Sequence, residues 1–252
     1  MRSRSGWRSL RIHLIELIIG GDGMPAQAWR AEVVVRSKVI GQVVLKLIVD
    51  ELRPIFDFEL PIDKGDAAIR ETAELRAYER MQHLQGRAIP HFYGAPRFTM
   101  PWGNEVTGLL LEDLKPVSEP LHVFCERNVD VLQSAKEIDP LARACFDYVH
   151  RAQEAGIARL ELRVTDLVVL NSSSPERPVV VGFDFASTMA AEEFEADWKS
   201  TSDAERAEEP WQSRDEGDMV NALRRAVGLA VSRWIRDLAE TDPKYLYWLE
   251  LQ

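Results

Sequence analysis

Residues 71–94, ETAELRAYERMQHLQGRAIPHFYG, and 108–114, GLLLEDL, carry the decisive pattern of this 252-residue chain. Around the first stretch, apolar residues Ile69, Ala73, Leu75, Ala77, Met81 and Leu84 recur at three- and four-residue spacing. This predicts a helix over Asp66–Gln85. Gly86 suits its C-terminal stop, because glycine adopts the left-handed conformation that ends a helix without a Cβ penalty. After Ile89-Pro90 the pattern changes. His91–Thr99 and Val106–Leu111 read as two strands, and the polar pair Glu112-Asp113 closes the apolar run.

Working back from the helix, three β-branched runs precede it. Ile12–Ile19 is broken by Gly20-Gly21-Asp22-Gly23, and Trp29–Arg36 is joined to Gln42–Val49 by a short turn around Ser37–Gly41. Such short connections favour antiparallel pairing. The first part of the chain thus predicts a sheet of about five strands with one helix inserted after the third.

Working forward, Ile138, Leu141, Cys145, Tyr148, Val149 and Ala152 form one face of a helix that stops at Gly156. Two short strands follow, Leu167–Leu170 and Val179–Phe183, and Asn221–Leu238 returns to helical periodicity. Between them, Glu192–Asp218 is polar and weakly periodic. It holds eleven acids against Lys199, Arg206 and Arg214, a local charge of −8. A solvated loop is the expectation for it.

Composition bounds the function classes. The 31 Lys+Arg and 41 Asp+Glu give a net charge of −10, most of it in that one stretch. An acidic balance argues against generic nucleic-acid binding, which needs a basic surface to meet phosphate. No apolar run approaches the roughly 20 residues that span a bilayer, so no membrane partner is expected. Cys125 and Cys145 are too few for a disulfide framework and lack zinc-ligand spacing, which fits buried thiols in an intracellular, cytoplasmic protein. Arg2, Arg4 and Arg8 mark residues 1–10 as a basic tail.

Three charged residues stand out. Lys46 interrupts the apolar strand Val43-Val44-Leu45-Lys46-Leu47-Ile48; alone, it reads as a lysine laying its stem on apolar surface. Glu74 reads as a helix charge. Asp184 lies between Phe183 and Phe185 at a strand end, where a carboxylate needs a cation or donors, from a salt bridge or a metal.

Their order says more. A glycine turn after the first strand, a lysine in the third, a glutamate on the next helix, Leu-Glu-Asp-Leu after the fifth strand and a late Asp-Phe resemble the layout of the protein-kinase-like family. With ETAELRAYERMQHLQGRAIPHFYG and GLLLEDL in place, the chain resembles small fungal kinase-like and aminoglycoside-phosphotransferase-like proteins. The resemblance implies an α+β, bilobal protein-kinase-like fold. Its N-lobe would span residues 11–114, with about five antiparallel strands and one helix, and its mainly helical C-lobe, shortened at the end, residues 115–252.

It also implies roles and two cofactors, ATP and Mg²⁺. Lys46 would hold the α- and β-phosphates of ATP, with Glu74 as its ion-pair partner. Backbone groups of Glu112–Leu114, the lobe connector, would meet the adenine edge. Gly21 and Gly23 supply two glycines of a phosphate-cradling loop, with Ala26 in place of the third and Pro25 lacking a donor; the segment reads equally as a hairpin turn. Asp184 would bind Mg²⁺. In the catalytic loop, His-x-Asp-x-x-x-x-Asn is replaced by Arg159, Glu161 and Asp166. Glu161 is then the candidate base and Asp166 a second metal ligand. A base displaced by about an ångström costs on the order of a hundredfold in rate. The expected function is a catalytically impaired kinase-like domain, a pseudokinase with residual nucleotide binding. The alternative is an active phosphotransferase using Glu161, Asp166 and Asp184. A protein partner, or a small-molecule or protein acceptor, is implied but not identified.

Overall fold

The computed structural model describes residues 10–19, 26–48, 66–99, 103, 105–158, 164–170, 178–182, 189–190 and 211–241. The calls on Gly21, Gly23, Glu161 and Asp184 lie outside them. Two compact units emerge, one of Met1–Thr72 with Pro90–Leu114 and one of Ala73–Ile89 with Lys115–Gln252.

The first unit is built on strands β1 (Leu10–Ile19), β2 (Ala26–Val35), β3 (Lys38–Ile48), β4 (Phe92–Gly94), β5 (Arg97–Thr99) and β6 (Glu105–Leu111). All pair antiparallel, in the order β1-β2-β3-β6-β4, with β5 also on β6. The β2–β3 turn is tighter than the sequence suggests. Val35 faces Lys38, and Arg36 and Ser37 take φ of 49° and 64°, the mirror-image turn whose twist matches the strands. Gly41 is a strand residue beside a bulge between Val33 and Val34. The single strand expected over His91–Thr99 is split in two, because Gly94 turns the chain at φ 127° and Pro96 cannot donate to a ladder.

Ala31, Val33, Val43, Leu45, Leu47, Val106 and Leu110 form an apolar cluster with Ile12, Trp29 and Phe98. Directly paired residues share a face, so Lys46, opposite Ala28 on β2 and Leu109 on β6, lies on the other face. Leu109 and Leu111 on that face are also buried. Burial on both sides explains why this end of β3 is a continuous apolar run rather than an alternating one. Gly108 is required by close packing: a Cβ there would meet Leu45 Cδ1 at 2.6 Å and Phe98 Cε2 at 2.7 Å.

Helix α1 (Asp66–Arg80) runs across the division between units and is followed by a 3₁₀ turn at Gln82–Leu84. The second unit holds β7 (Ser118–Pro120), α2 (Leu121–Arg127), α3 (Ala135–Glu154), β8 (Ile157–Ala158), a 3₁₀ turn at Val164–Asp166, β9 (Leu167–Leu170), β10 (Val180–Gly182), β11 (Met189–Ala190), α4 (Trp211–Val227) and α5 (Leu229–Thr241). Strands β10-β9-β7 form one small sheet, and β11 pairs with β8.

Helix α3 starts at a capping box: Ser134 Oγ accepts from Glu137 N–H, and Glu137 Oε2 accepts from Ser134 N–H. Its face of Ile138, Leu141, Cys145, Tyr148, Val149 and Ala152 is buried. It packs with Met219, Ala222 and Leu223 of α4 and Val231, Trp234 and Ile235 of α5 into the helical core. The helix expected over Asn221–Leu238 is two helices. Gly228 breaks it at φ 63°, a backbone that a helix interior does not permit. Helix α4 also starts earlier, so the last part of the acidic stretch is helix rather than loop.

Candidate functional site

Among the described residues, three charged residues are buried as a whole: Lys46, 8% exposed, Glu74, 0%, and Asp215, 1%. Burying an isolated charge costs several kcal/mol, so such positions are held only where partners compensate. All three interact with neighbours. Two of them are candidates from the sequence and the third is not.

In the sheet unit, Lys46 is placed by the β3 ladder between Ala28 and Leu109. The adjacent strand β6 runs on into Glu112-Asp113-Leu114, so the sheet puts the lysine strand beside the candidate connector. That connector is tied down. Glu112 N–H donates to His91 O at 2.9 Å, and Glu112 Oε2 accepts from His91 N–H at 3.1 Å. The Glu112 N–H is thus already taken; Leu114 follows, half-buried. Next to Glu112, Asp113 Oδ2 accepts from Arg30 Nε on β2 at 2.7 Å, and Arg30 also pairs with Glu16 of β1. One guanidinium thereby ties the connector to the edge of the sheet. Burial, then the Glu112 carboxylate, pushes the Tyr93 hydroxyl pKa above its ordinary value.

In the helical unit, Glu74 is fully buried on α1. The end of the same helix reaches the segment before the catalytic-loop match: Arg80 Nη1 donates to Gly156 O at 3.1 Å. Gly156, at φ 75°, turns the chain from α3 into β8. Gly182, two residues before Asp184 in sequence, donates its N–H to Ala88 O at 3.1 Å. The Tyr148 ring lies so close that a Cβ at Gly182 would fall 2.2 Å from its hydroxyl oxygen. Asp166 is half-buried in its 3₁₀ turn, and Thr165 Oγ1 donates to its Oδ1 at 3.2 Å. The described residues contain no group of three His, Cys, Asp or Glu that would hold a metal by themselves.

In sequence, Asp215-Glu216 resembles the Asp-Glu that begins the large C-lobe helix of the fungal group, and reads equally as acids at a helix start, favoured by the dipole; neither reading puts Asp215 among the site residues. The structure places Asp215 inside α4, in phase with the buried Met219, Ala222 and Leu223. A charged residue at core spacing was the available signal. Helix α4 packs against the Val164–Asp166 turn and β8, which bracket residues 159–163 in sequence. Its neighbour Glu216 meets His150 Nε2 of α3 at 2.9 Å, which makes His150 a residue of the helix seam. Cys125 and Cys145 are buried free thiols. Burial first, then Glu119 and Glu126, pushes the Cys125 pKa up to about 12, and burial, then Cys125, pushes that of Cys145 up as well.

The sequence matches no family model and no curated protein. The fold does match solved structures. One is the kinase-like WaaP in complex with acyl carrier protein, at TM-score 0.53 and 14% identity, covering 96% of this chain and 87% of that one. The fold is therefore a protein-kinase-like α+β fold. Matches extend to 747 chains, so the likeness identifies an architecture and not a substrate.

Proposed function

Starting from the protein-kinase-like fold, we propose that the chain is a pseudokinase. In this reading it binds ATP, with Mg²⁺, and transfers phosphate poorly or not at all. The observation that carries the nucleotide half is the burial of Lys46 and Glu74, two of the three charged residues that are buried among the described residues. A buried lysine is costly unless an anion repays it, and a triphosphate supplies that anion. The residues present fit nucleotide on this count, and Glu112 and Leu114 would supply the connector contacts. Mg²⁺, when bound, would neutralise phosphate charge; Asp166 and Asp184 would be its carboxylates.

The impaired half rests on the sequence Arg159, Glu161, Asp166 in place of His, Asp, Asn. The longer Glu161 side chain displaces the proton acceptor. The alternative, an active phosphotransferase with Glu161 as base, is favoured by the same retention of Lys46 and Glu74. In either case the N-lobe is residues 11–114, the C-lobe residues 115–252, and the chain works inside the cell with a protein partner or acceptor, nearest in kind to the fungal and aminoglycoside-phosphotransferase-like proteins. Among the described residues no helix is long and apolar enough to cross a membrane.

Thermal-shift titration with ATP, with and without Mg²⁺, tests nucleotide binding. Saturable stabilisation is expected, and its absence at millimolar nucleotide overturns the reading. Phosphate-transfer and ATP-hydrolysis assays on the wild type and Glu161→Gln then decide activity. Turnover that Glu161→Gln abolishes establishes the alternative.

A further inference from the structure

A second cluster of charge shares no residue with the candidate nucleotide site. Ser134, Ala135 and Lys136 at the start of α3, with Arg233, Arg236 and Asp237 of α5, line one open cavity of about 360 Å³. Its walls are fixed to each other. Trp234, next to Arg233 and 4% exposed, donates Nε1–H to Asp139 Oδ1 of α3 at 2.9 Å, and its ring lies 5.8 Å from that of Phe146.

Lys136, Arg233 and Arg236 are exposed, and among the described residues none of them has an ion-pair partner. Arg233 and Arg236 are also three residues apart on one helix, a like-charge spacing that destabilises it. The lining carries three cations and one acid, a formal +2, in a chain whose net charge is −10. The attraction comes from these side chains; at the helix end the Ser134–Glu137 capping box uses the Ser134 and Glu137 N–H groups.

We propose that this cavity binds a small phosphate monoester. Such a group carries about −1.5 to −2 at neutral pH, matching the lining. Arginine forks fit its tetrahedral oxygens, and a lysine adds a point charge. Asp237, which when ionised can only accept, would take a hydrogen bond from a ligand hydroxyl. The volume lies at the small end of ligand cavities, which suits a compact metabolite.

The test is calorimetric titration of the full chain with glycerol 2-phosphate at fixed ionic strength, with inorganic phosphate and a phosphoserine peptide alongside. Saturable one-to-one binding is expected. Arg233→Gln combined with Arg236→Gln should weaken it about tenfold or more. Asp237→Asn should tighten binding of inorganic phosphate, which loses a repulsive neighbour; a misfolded variant cannot produce that gain. Arg225→Gln, exposed on α4, should behave as wild type. No saturable binding, equal affinity in the Arg233/Arg236 variant, or weaker phosphate binding in Asp237→Asn would each overturn the site. Binding of the phosphopeptide about tenfold more tightly than the monoester would overturn the ligand class.

Discussion

Strand β3 and helix α4 each bury one charge, and they do so in different ways. Lys46 sits on one face of a strand, held by a ladder that fixes its backbone whatever its side chain does, and keeps 8% of its surface exposed. Asp215 sits on the core-facing stripe of a helix, 1% exposed, where the packing of α2, α3 and β8 around α4 must accommodate it. A sheet can therefore carry a buried cation for a ligand at modest cost to its own assembly, because the backbone pairs regardless. A helix that buries an acid in its packing face has made that acid part of the fold. In the proposed reading, the contrast separates a charge kept for binding from a charge kept for architecture.

The sharpest way to break this contrast is to remove both. Asp215→Ala should lower unfolding stability by about 3–5 kcal/mol, the usual effect of deleting one member of a buried charged interaction. Chemical denaturation checks this, and Asp215→Asn should recover part of the loss. Lys46→Met should cost the unliganded protein much less. It should instead abolish the ATP-dependent stabilisation, which for wild type at 100 times Kd is about 2.7 kcal/mol. If Lys46→Met destabilises the unliganded chain as much as Asp215→Ala does, the lysine is architectural and the distinction fails.

The two units can next be compared at their tight glycines. Gly182→Ala forces a Cβ against the Tyr148 ring and hydroxyl, whereas Gly108→Ala meets the distal ends of Leu45, Phe98 and Leu47. Overpacking of this kind costs about 1–3 kcal/mol, and Gly182→Ala should fall at the upper end because its Cβ would come within 2.2 Å of the Tyr148 hydroxyl oxygen, against 2.6 Å for the nearest atom at Gly108. Equal melting temperatures for the two variants would show that the helical unit yields as readily as the sheet.

The smallest effect concerns acid. Burial alone would raise the Asp139 pKa, but hydrogen bonds from Arg143 and Trp234 hold it below the ordinary carboxylate value of 3.8. A lowered folded-state pKa means that its contribution is present at neutral pH and is lost as pH falls below about 3.8 through the folded value. Trp234→Phe should remove about 1 kcal/mol at pH 7. Its difference from wild type should shrink at the acid end of that range, as followed by denaturant midpoints. A difference constant down to pH 2.5 would show that the indole acts through packing alone.

Much of the first unit was legible in the sequence. β-Branched runs, a lysine among them, a helix and its glycine stop are local signals, and backbone preference and side-chain periodicity act over a few residues. The tight turn at Arg36-Ser37 was less visible, because neither residue is one that usually takes positive φ. Nor was the division of His91–Thr99 into β4 and β5, whose pairing with different parts of β6 is a long-range matter. In the second unit, the periodic pattern around Asn221–Leu238 was read as one helix because Gly228 alone does not disrupt periodicity.

Sequence alone thus determined the order of elements, the lysine in its strand, the substituted loop at Arg159, Glu161 and Asp166, and the concentration of acid before and into the start of α4. These are properties of neighbours in the chain. Tertiary structure alone decided that Asp215 is inside and not at a solvated helix end, that the Glu112 N–H is already given to His91, and that Lys136 shares a cavity with Arg233 and Arg236. The reason is physical: burial, hydrogen-bond pairing and local electric field depend on what distant segments bring to one place. Lys136 and Arg233 are nearly a hundred residues apart in sequence, and only the packing of α5 on α3 makes them neighbours.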